Sequence, residues 1–232
     1  ETSNEVIPVV NKDVLKNSKY YLDQYDLDVI TGVEREYPPA GKRDFTPTNN
    51  TDLSYTKYVS HNIYGTGDYT IKISSYNLTW PHYHPIHAFK TSDSVGGIWK
   101  AGNYDPVTFI YNNSNFNNNN GIFTNLGYTG DWIYIKLPNK INLVQYKLLQ
   151  RTTSIDACAG VGDFKIYGSN DETTWTELIS KSLAPSDYLN YVYEESVSTT
   201  GTYQYFLLVI NKLVGPDNIY TVDTLMLKEW YI

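Results

Sequence analysis

The chain has 232 residues, with 18 Lys and Arg against 25 Asp and Glu, which gives a formal net charge of −7. This length suffices for one large domain with a substantial hydrophobic core. The acidic balance, without a basic stripe, argues against a nucleic-acid-binding protein, because such proteins cluster Lys and Arg against phosphates. No apolar run approaches the length of a membrane span, so we expect no membrane insertion.

The N-glycosylation sequons favour a secreted protein, and the cysteine content is compatible with one. The single cysteine, Cys158, excludes an intrachain disulfide, and a chain of this size does not need one for its stability. The sequence begins at Glu1 without a signal peptide, which predicts a processed mature chain or an excerpt of a longer protein. N-glycosylation sequons begin at Asn49, Asn77 and Asn112 and predict three acceptor sites.

Residues 1–35 differ in pattern from the rest of the chain. Val6, Pro8 and Val10 alternate with other residues in a short extended stretch, and Pro8 suits a sheet edge. The following stretch, Val14–Ile30, fits neither the helical nor the strand period, which leaves a short helix or an irregular segment. We predict an N-terminal arm or linker over 1–35 that packs on its own domain or on a neighbour.

From residue 36 on, short strands separated by turn residues are predicted. Asp68–Ser75 alternates apolar with polar side chains, as a half-buried strand does. Trp132–Leu137 also has the strand period, with aliphatic side chains on one face and Trp132, Tyr134 and Lys136 on the other. Pro138-Asn139 predicts a turn into a strand over Ile141–Gln150. Further strands are predicted over Phe164–Gly168, Trp175–Ile179, Tyr188–Val197, Tyr203–Asn211 and Thr221–Trp230.

The strand pattern predicts an all-β fold, an antiparallel β-sandwich over residues 36–232. The continuous apolar run Tyr205–Ile210 indicates a strand that is buried on both faces. Turn signals recur between the predicted strands, and no long helical period follows residue 36. Tyr, with 23 residues, favours strands and offers an apolar ring with a polar tip for contact surfaces.

Four motifs occur in a recognisable order: Gly130–Pro138, Phe164–Asp171 with Trp175–Leu178, Tyr203–Val209, and Leu225–Tyr231. Together they resemble the strands of the discoidin (coagulation-factor C-type) family, whose fold is a galactose-binding-like jelly roll. Glu36–Gly41 with Tyr64–Thr70 is similar to a subgroup found in particle proteins of large DNA viruses of protists and algae. The resemblance covers residues 36–232 and implies an extracellular or virion-surface protein.

The resemblance implies binding rather than catalysis, because discoidin-like domains bind glycans, lipids or proteins through variable loops. Two residues depart from the family pattern. Lys90 follows Ala88-Phe89 where many relatives have an Asp that helps to hold calcium, and a lysine repels a cation there. The disulfide that joins the domain ends in the family cannot form with Cys158 alone.

A histidine-rich segment offers a second hypothesis about metals. His82 and His84 point the same way on an extended segment, and His87 completes three ligands suited to zinc or copper. The alternative is an irregular loop in which the imidazoles cap backbone groups or stack on Tyr83. We expect that the protein binds no cofactor. The alternative is a bound calcium or zinc ion.

Signatures of catalysis are missing from the sequence. There is no Gly-x-Ser-x-Gly motif, and Cys158 lies among small residues, where an inert thiol is the ordinary case. Asp93, Asp105 and Asp131 are scattered in predicted loops, where aspartates usually serve as turn residues. We therefore expect that the protein is not an enzyme.

Sugar binding needs exposed aromatic rings that stack on a pyranose and polar side chains that bond its hydroxyls. The predicted loops supply both, in Trp80, His82, Tyr83, Tyr104, Arg151 and Asp156. We expect a surface adhesion module that binds a glycan or cell-surface ligand through loops at one end of the sandwich. The alternative is a structural subunit of a capsid or filament, which binds copies of itself through the arm and Tyr-rich faces.

Overall fold

The computed structural model describes residues 37, 54–59, 66–74, 88, 99–101, 104–105, 107–112, 127–150, 160–187, 192–214 and 225–231. The chain divides into two compact units, Glu1–Val33 and Glu34–Ile232. The predicted arm over 1–35 lies outside the described residues, so its structure and role stay predictions.

In the described part of the second unit, ten strands form two sheets. They are β1 (Ser54–Val59), β2 (Gly67–Ile73), β3 (Trp99–Ala101), β4 (Asp131–Ile141), β5 (Gln145–Gln150), β6 (Asp163–Ser169), β7 (Trp175–Ser182), β8 (Val192–Ser196), β9 (Tyr203–Ile210) and β10 (Leu225–Tyr231). One sheet has the order β1-β2-β4-β9-β6-β7 and the other β3-β10-β5-β8, and each pairing is antiparallel. A 3-10 turn, Pro185–Asp187, follows β7.

The two sheets enclose one hydrophobic core. Tyr146 and Leu148 of the four-stranded sheet are buried with Ile133 and Phe164 of the six-stranded sheet. The rings of Tyr146 and Phe164 meet edge to face across the core, with centroids 5.9 Å apart. Each such fully buried side chain contributes about 1.5–3 kcal/mol through its removal from water. The predicted antiparallel β-sandwich is confirmed.

Strand β9 lies at the centre of the six-stranded sheet and is buried on both faces, as its apolar run predicted. Phe206, Leu208 and Ile210 face the main core, whereas Leu207 and Val209 face outward. The outward pair packs into a second cluster, and the other buried members of that cluster are Trp132, Tyr134 and Tyr167. The alternation predicted for residues 132–137 therefore separates two apolar environments rather than a core from solvent.

One predicted turn was wrong, and two strands were not predicted. The predicted turn at Pro138-Asn139 is part of β4, which continues to Ile141 with a register shift after Lys136. Proline is tolerated at such an irregularity because no ladder hydrogen bond is required of its nitrogen. Strands β1 and β3 were not predicted, because β1 is a half-polar edge strand and β3 has only three residues.

Candidate functional site

Five chain segments meet beside the carboxyl end of β9. Ile210 pairs with Asp131 at the start of β4, and the Ser74 amide after β2 donates to the carbonyl of Trp132 at 2.9 Å. Just beyond the strand, Lys212 pairs with Ile110, and Leu213 pairs with Val161 before β6. We call this region the loop end, comprising Ser74, 104–105, 107–112, 130–131, 160–163, 182–187 and 210–214.

A buried hydrogen-bond pair fixes the floor of the loop end. The Ser74 hydroxyl donates to Asp131 Oδ1 at 3.0 Å and accepts the amide proton of Trp132 at 2.9 Å. Both Ser74 and Asp131 are almost completely buried. A buried carboxylate needs such partners to be tolerated, so Asp131 joins β2 to β4 within the loop end.

A hydrogen-bonded turn, formed by Asp105 and 107–110, makes one wall of the loop end. Asp105 Oδ1 accepts hydrogen bonds from the amides of Val107 and Thr108 at 2.9 and 2.7 Å, and from the Thr108 hydroxyl at 3.0 Å. Hydrogen bonds from the Thr108 and Val107 amides and the Thr108 hydroxyl lower the pKa of Asp105 below its ordinary value. The backbone of Asp105 also bonds Phe109 and Ile110, at 2.8 and 2.9 Å.

Phe109 adopts a left-handed backbone conformation in this turn, with φ of 60°. For a residue other than glycine this costs about 1–3 kcal/mol, and such strain collects at functional sites. The neighbours enforce it, because the Phe109 amide donates to the carbonyl of Asp105 and its carbonyl accepts from the Leu213 amide at 2.9 Å. The turn holds Val107 80% exposed at its tip.

A groove of about 390 Å³ lies between this turn and the ends of β6 and β7. Its volume falls within the range of small-ligand pockets. The lining combines aliphatic and aromatic side chains with a few polar ones: Val107, Thr108, Phe109, Gly162, Asp163, Ser182, Leu183, Pro185, Lys212, Leu213 and Val214.

Two opposite charges line the groove without neutralising each other. Asp163 Oδ1 accepts a hydrogen bond from the Ser182 hydroxyl at 2.6 Å, whereas its second oxygen accepts none from the residues that the structure describes. The Lys212 ammonium has no ion pair or hydrogen bond within the same residues. The Asp163 amide donates a hydrogen bond to the Lys212 carbonyl at 3.1 Å, so the backbones of the two residues are neighbours.

Gly162 allows the close chain approach that forms the groove floor. Its amide donates to the Lys212 carbonyl at 2.9 Å. A Cβ at this position would stand 2.8 Å from the backbone carbon of Leu213, which is too close for any side chain. The sequence pattern did not reveal this requirement, because Gly162 lies in an ordinary-looking turn segment.

Of the residues predicted to bind a ligand, the structure describes Tyr104 alone, and that prediction was wrong. Tyr104 is fully buried, and its hydroxyl donates to the carbonyl oxygen of Ile210 at 3.1 Å. Burial, followed by the nearby charge of Asp131, raises its pKa well above the ordinary value. A ring without exposed surface cannot stack on a sugar, so Tyr104 is a core residue that supports the loop end.

Among the other predicted site residues, the structure describes only Asn112. Asn112, at the end of the turn segment, is exposed, and its glycosylation stays a prediction. The remaining predicted residues lie outside the described residues: Trp80, His82, Tyr83, His84, His87, Arg151, Asp156, Asn49 and Asn77. The structure neither tests nor excludes their predicted roles.

The segments that carry these residues are nevertheless attached at known places. Segment 75–98 runs from Ser74 to Trp99, and segment 151–159 runs from Gln150 to Gly160. Ser74 and Gly160 belong to the loop end, where the carbonyl of Gly160 accepts from the Val214 amide at 2.9 Å. At their other ends, Trp99 and Gln150 both pair with Leu227 of β10. Each predicted ligand-binding segment therefore adjoins a residue of the loop end, Ser74 for one and Gly160 for the other.

Metal binding has no counterpart among the side chains that the structure describes. These contain no group of three or more His, Cys, Asp or Glu residues arranged to hold an ion. The predicted histidine ligands lie outside the described residues. So does Lys90, which departs from the family pattern at the calcium site. In the same part of the chain, no helix is long and apolar enough to cross a membrane.

Comparison with known proteins gives remote structural similarity. No family model matches the chain, and no curated protein matches it. The chain is similar to CBM32-3 from a family 31 glycoside hydrolase of Clostridium perfringens, with 16% identity, a TM-score of 0.46, and coverage of 79% of this chain and 92% of that one. It is also similar to the family 32 carbohydrate-binding module of Streptococcus pneumoniae EndoD, with 12% identity, a TM-score of 0.46, and coverage of 69% and 93%.

A third similar structure is CpGH89CBM32-5 from Clostridium perfringens, which was solved in complex with GalNAc-β-1,3-galactose; it has 11% identity, a TM-score of 0.45, and coverage of 69% and 93%. The matched modules are discoidin-like domains, the type that the sequence motifs resemble. At these identities and TM-scores, the likeness assigns no ligand and no site residue to this chain. The similarity to viral particle proteins stays a prediction.

Proposed function

We propose that this protein is a non-catalytic glycan-binding module that acts in adhesion or recognition at a cell or virion surface. One observation carries the proposal. The segments that bear the predicted ligand-binding residues are attached at the loop end, beside a groove with exposed apolar and unpaired polar groups. A site built from loops on a rigid sandwich is a common arrangement for recognition.

The chemistry of the two loops suits a pyranose ring. Trp80 and Tyr83 offer flat apolar faces for the axial C–H groups of a sugar. Arg151 and Asp156 supply a planar donor and an acceptor for neighbouring hydroxyls, and His82 supplies one of each. The groove at the loop end has room for a second ring or for a substituent on the first.

Binding without catalysis agrees with the state of the loop-end carboxylates. Asp105 holds its turn through three hydrogen bonds, Asp131 is buried against Ser74, Asp163 is engaged by Ser182, and Asp187 accepts from the Ala184 amide. A glycosidase requires two carboxyl groups that face a shared bond, one as acid and the other as base or nucleophile. These four are instead committed to the scaffold, wholly or in part.

A glycan array with the intact chain, with and without a chelator, tests the proposal. We expect binding to a related set of glycans that is lost in the double variant Trp80→Ala/Arg151→Ala. Tyr58→Ala is the matched control, because Tyr58 is 65% exposed on β1, where it pairs with Asp68 near the opposite end of β2. No binding by a correctly folded chain, or equal binding by the double variant, would overturn the proposal. Loss on chelation would add a metal to the site.

A further inference from the structure

We propose that a hydrogen-bonded cluster around Glu195 fixes the loop that lines the groove, and that protonation of Glu195 in acid releases this loop and weakens binding. The cluster comprises Glu195, Lys181, Tyr146 and Tyr193, and we call it the edge cluster. Among the described strands, β7 with Lys181 ends the six-stranded sheet and β8 with Glu195 ends the four-stranded sheet. The structural part of the inference needs no ligand, whereas the effect on binding rests on the proposed function.

Three donors converge on the Glu195 carboxylate. The Lys181 ammonium donates to Oε1 at 2.5 Å, and the hydroxyls of Tyr146 and Tyr193 donate to Oε2 at 2.6 and 2.9 Å. The Lys181 and Glu195 side chains are 37% and 26% exposed, so water screens their ion pair only in part. Isolated surface ion pairs contribute little to stability, but a partly buried network with two phenol groups is stronger than its separate bonds.

The edge cluster is anchored in the core between the sheets. The Tyr146 ring contacts Phe164 of β6 edge to face, with centroids 5.9 Å apart, and the tilted Tyr193 ring at 6.0 Å. Lys181 pairs with Phe164 in the β6–β7 ladder, and Glu195 pairs with Tyr146 in the β5–β8 ladder. One connected set of contacts therefore joins the ends of both sheets.

The edge cluster also joins the two ends of a segment that lines the groove. The chain from Lys181 to Glu195 connects β7 to β8, and Leu183 and Pro185 within it belong to the groove lining. The Leu183 amide donates to the carbonyl of Gly162 on the groove floor at 3.2 Å. A contact that closes a loop removes conformations that the open loop could adopt. Loss of the Glu195 contacts therefore leaves this part of the groove wall less ordered, and ordering it again costs free energy on binding.

Acid acts on the edge cluster through Glu195. Burial alone would raise the pKa of Glu195, but the hydrogen bonds from Lys181, Tyr146 and Tyr193 outweigh burial and lower the pKa below its ordinary value. The carboxylate therefore stabilises the fold fully above its unfolded pKa of about 4.3, and this stabilisation is lost as the pH falls through the folded pKa. A protonated carboxyl group supplies a donor where three donors already converge.

The other members of the edge cluster keep their protons throughout the acid range. The hydrogen bond to Glu195 raises the pKa of Lys181. Burial, followed by the hydrogen bonds with Glu195, raises the pKa of Tyr146 and of Tyr193. Within the described part of the chain, no other ionisable side chain bonds the Glu195 carboxylate, so its protonation alone disrupts the cluster in acid.

Hydrogen exchange of the intact chain tests the structural part, with wild type and Glu195→Gln compared at the same pH. Glutamine replaces one accepting oxygen by a donor and so reproduces the protonated state. At pH 7 we expect the amides of β8 and of residues 183–187 to exchange about tenfold or more faster in Glu195→Gln, as the loss of hydrogen bonds to a charged group implies. Below about pH 4 the two proteins should converge, because wild type is then protonated as well.

Glu194→Gln is the matched control. Glu194 pairs with Lys147 at 3.3 Å, and successive residues of a strand face opposite sides, so this pair lies on the other face of the four-stranded sheet from Glu195. Its exchange should match that of wild type. Lys181→Met is a second variant, which removes the ion pair but keeps the carboxylate. It should also speed exchange of the same segments at pH 7, and this comparison decides the question if Glu195→Gln does not fold.

Equal exchange of wild type and Glu195→Gln at pH 7, or a difference that stays constant down to pH 3, would overturn the inference. Calorimetry with the glycan that gives the strongest array signal tests the effect on binding. We expect Glu195→Gln to bind this glycan about tenfold more weakly than wild type at pH 7, because its groove wall must be ordered on binding. Unchanged affinity in a variant with faster exchange would overturn the coupling to the groove. If no glycan binds wild type, the proposed function fails, whereas the exchange data still decide whether the edge cluster holds the loop.

Discussion

The hydroxyl of Tyr104 donates a hydrogen bond to the carbonyl oxygen of Ile210, 3.1 Å away and fully buried. Ile210 is the last residue of the central strand β9, and Tyr104 directly precedes the Asp105 turn. The bond therefore joins the central strand of the sheet to the wall of the groove. Tyr111 adds an edge-to-face contact with the Tyr104 ring, with centroids 5.8 Å apart. The loop end is thus anchored on the core.

Substitution of Tyr104 separates a core role from a ligand-binding role. Tyr104→Phe should lower the free energy of unfolding by about 1 kcal/mol, because one buried hydrogen bond is lost. Tyr104→Ala should lower it by about 4 kcal/mol, because a large cavity opens under the turn. Urea denaturation measures both. A phenylalanine variant of full stability that has lost glycan binding would show that the hydroxyl serves a ligand instead.

Gly130 should tolerate no side chain. A Cβ there would collide with the carbonyl oxygen of Ile210 on the neighbouring strand, and neither backbone can move without breaking the sheet. We expect Gly130→Ala to cost about 3 kcal/mol of stability through overpacking. Gly127→Ala is the matched control, since open space surrounds that position and only its φ of 64° opposes alanine, at about 1 kcal/mol. Equal melting temperatures for the two variants would contradict this account.

The Asp105 turn should weaken in acid. Hydrogen bonds lower the pKa of Asp105 in the folded protein below its unfolded value of about 3.9. A lowered folded pKa means that the stabilisation is complete above the unfolded value and is lost as the pH falls through the folded value. The melting-temperature difference between wild type and Asp105→Asn should therefore be present at pH 6 and shrink below about pH 4. A difference for Asp105→Asn that stays constant from pH 6 to pH 3 would mean that the charge of Asp105 does not hold the turn.

Asn112 should carry a glycan when the chain passes through a secretory pathway. It is exposed and begins an Asn-Asn-Ser sequence. Expression in a eukaryotic secretory host and mass spectrometry of the intact protein should show an enzymatically removable mass that Asn112→Gln reduces by one glycan. Modification restricted to Asn49 and Asn77 would show that Asn112, at the loop end, is not glycosylated.

The alternative role, as a structural subunit of a capsid or filament, predicts self-association through residues 1–35. Analytical ultracentrifugation of the full chain at rising concentration should then show oligomers that vanish when residues 1–35 are removed. A chain that stays monomeric throughout would remove this alternative, and a truncated chain that still assembles would place the contact on the sandwich instead.

The sandwich was predictable because burial leaves a strong mark on sequence. The run ending at Ile210 must fill two apolar environments at once, and the alternation over 132–137 repeats with the period of a strand. Local turn chemistry was less reliable. Pro138 signals a turn in isolation, but the pairing of β4 with β9 on both sides of the irregularity overrides that local preference.

The groove was not predictable, because its parts lie far apart in sequence. Thr108, Asp163, Ser182 and Lys212 lie in four separate segments, and none belongs to a motif. Only the turn had a signal, since an Asp followed by Pro and Thr often caps its own backbone. Tyr104 shows the opposite error. An aromatic residue between predicted loops was read as a surface group, although its polar tip meets a buried carbonyl.

The central claim is that a glycan binds at the loop end, and the most direct test is calorimetry with the strongest glycan-array ligand. Wild type and Tyr58→Ala should bind this ligand with the same affinity, and Trp80→Ala/Arg151→Ala should bind it at least about a hundredfold more weakly, as loss of a stacking ring and a charged hydrogen bond implies. Retained affinity in the folded double variant, or an equal loss in Tyr58→Ala, would contradict a glycan site at the loop end.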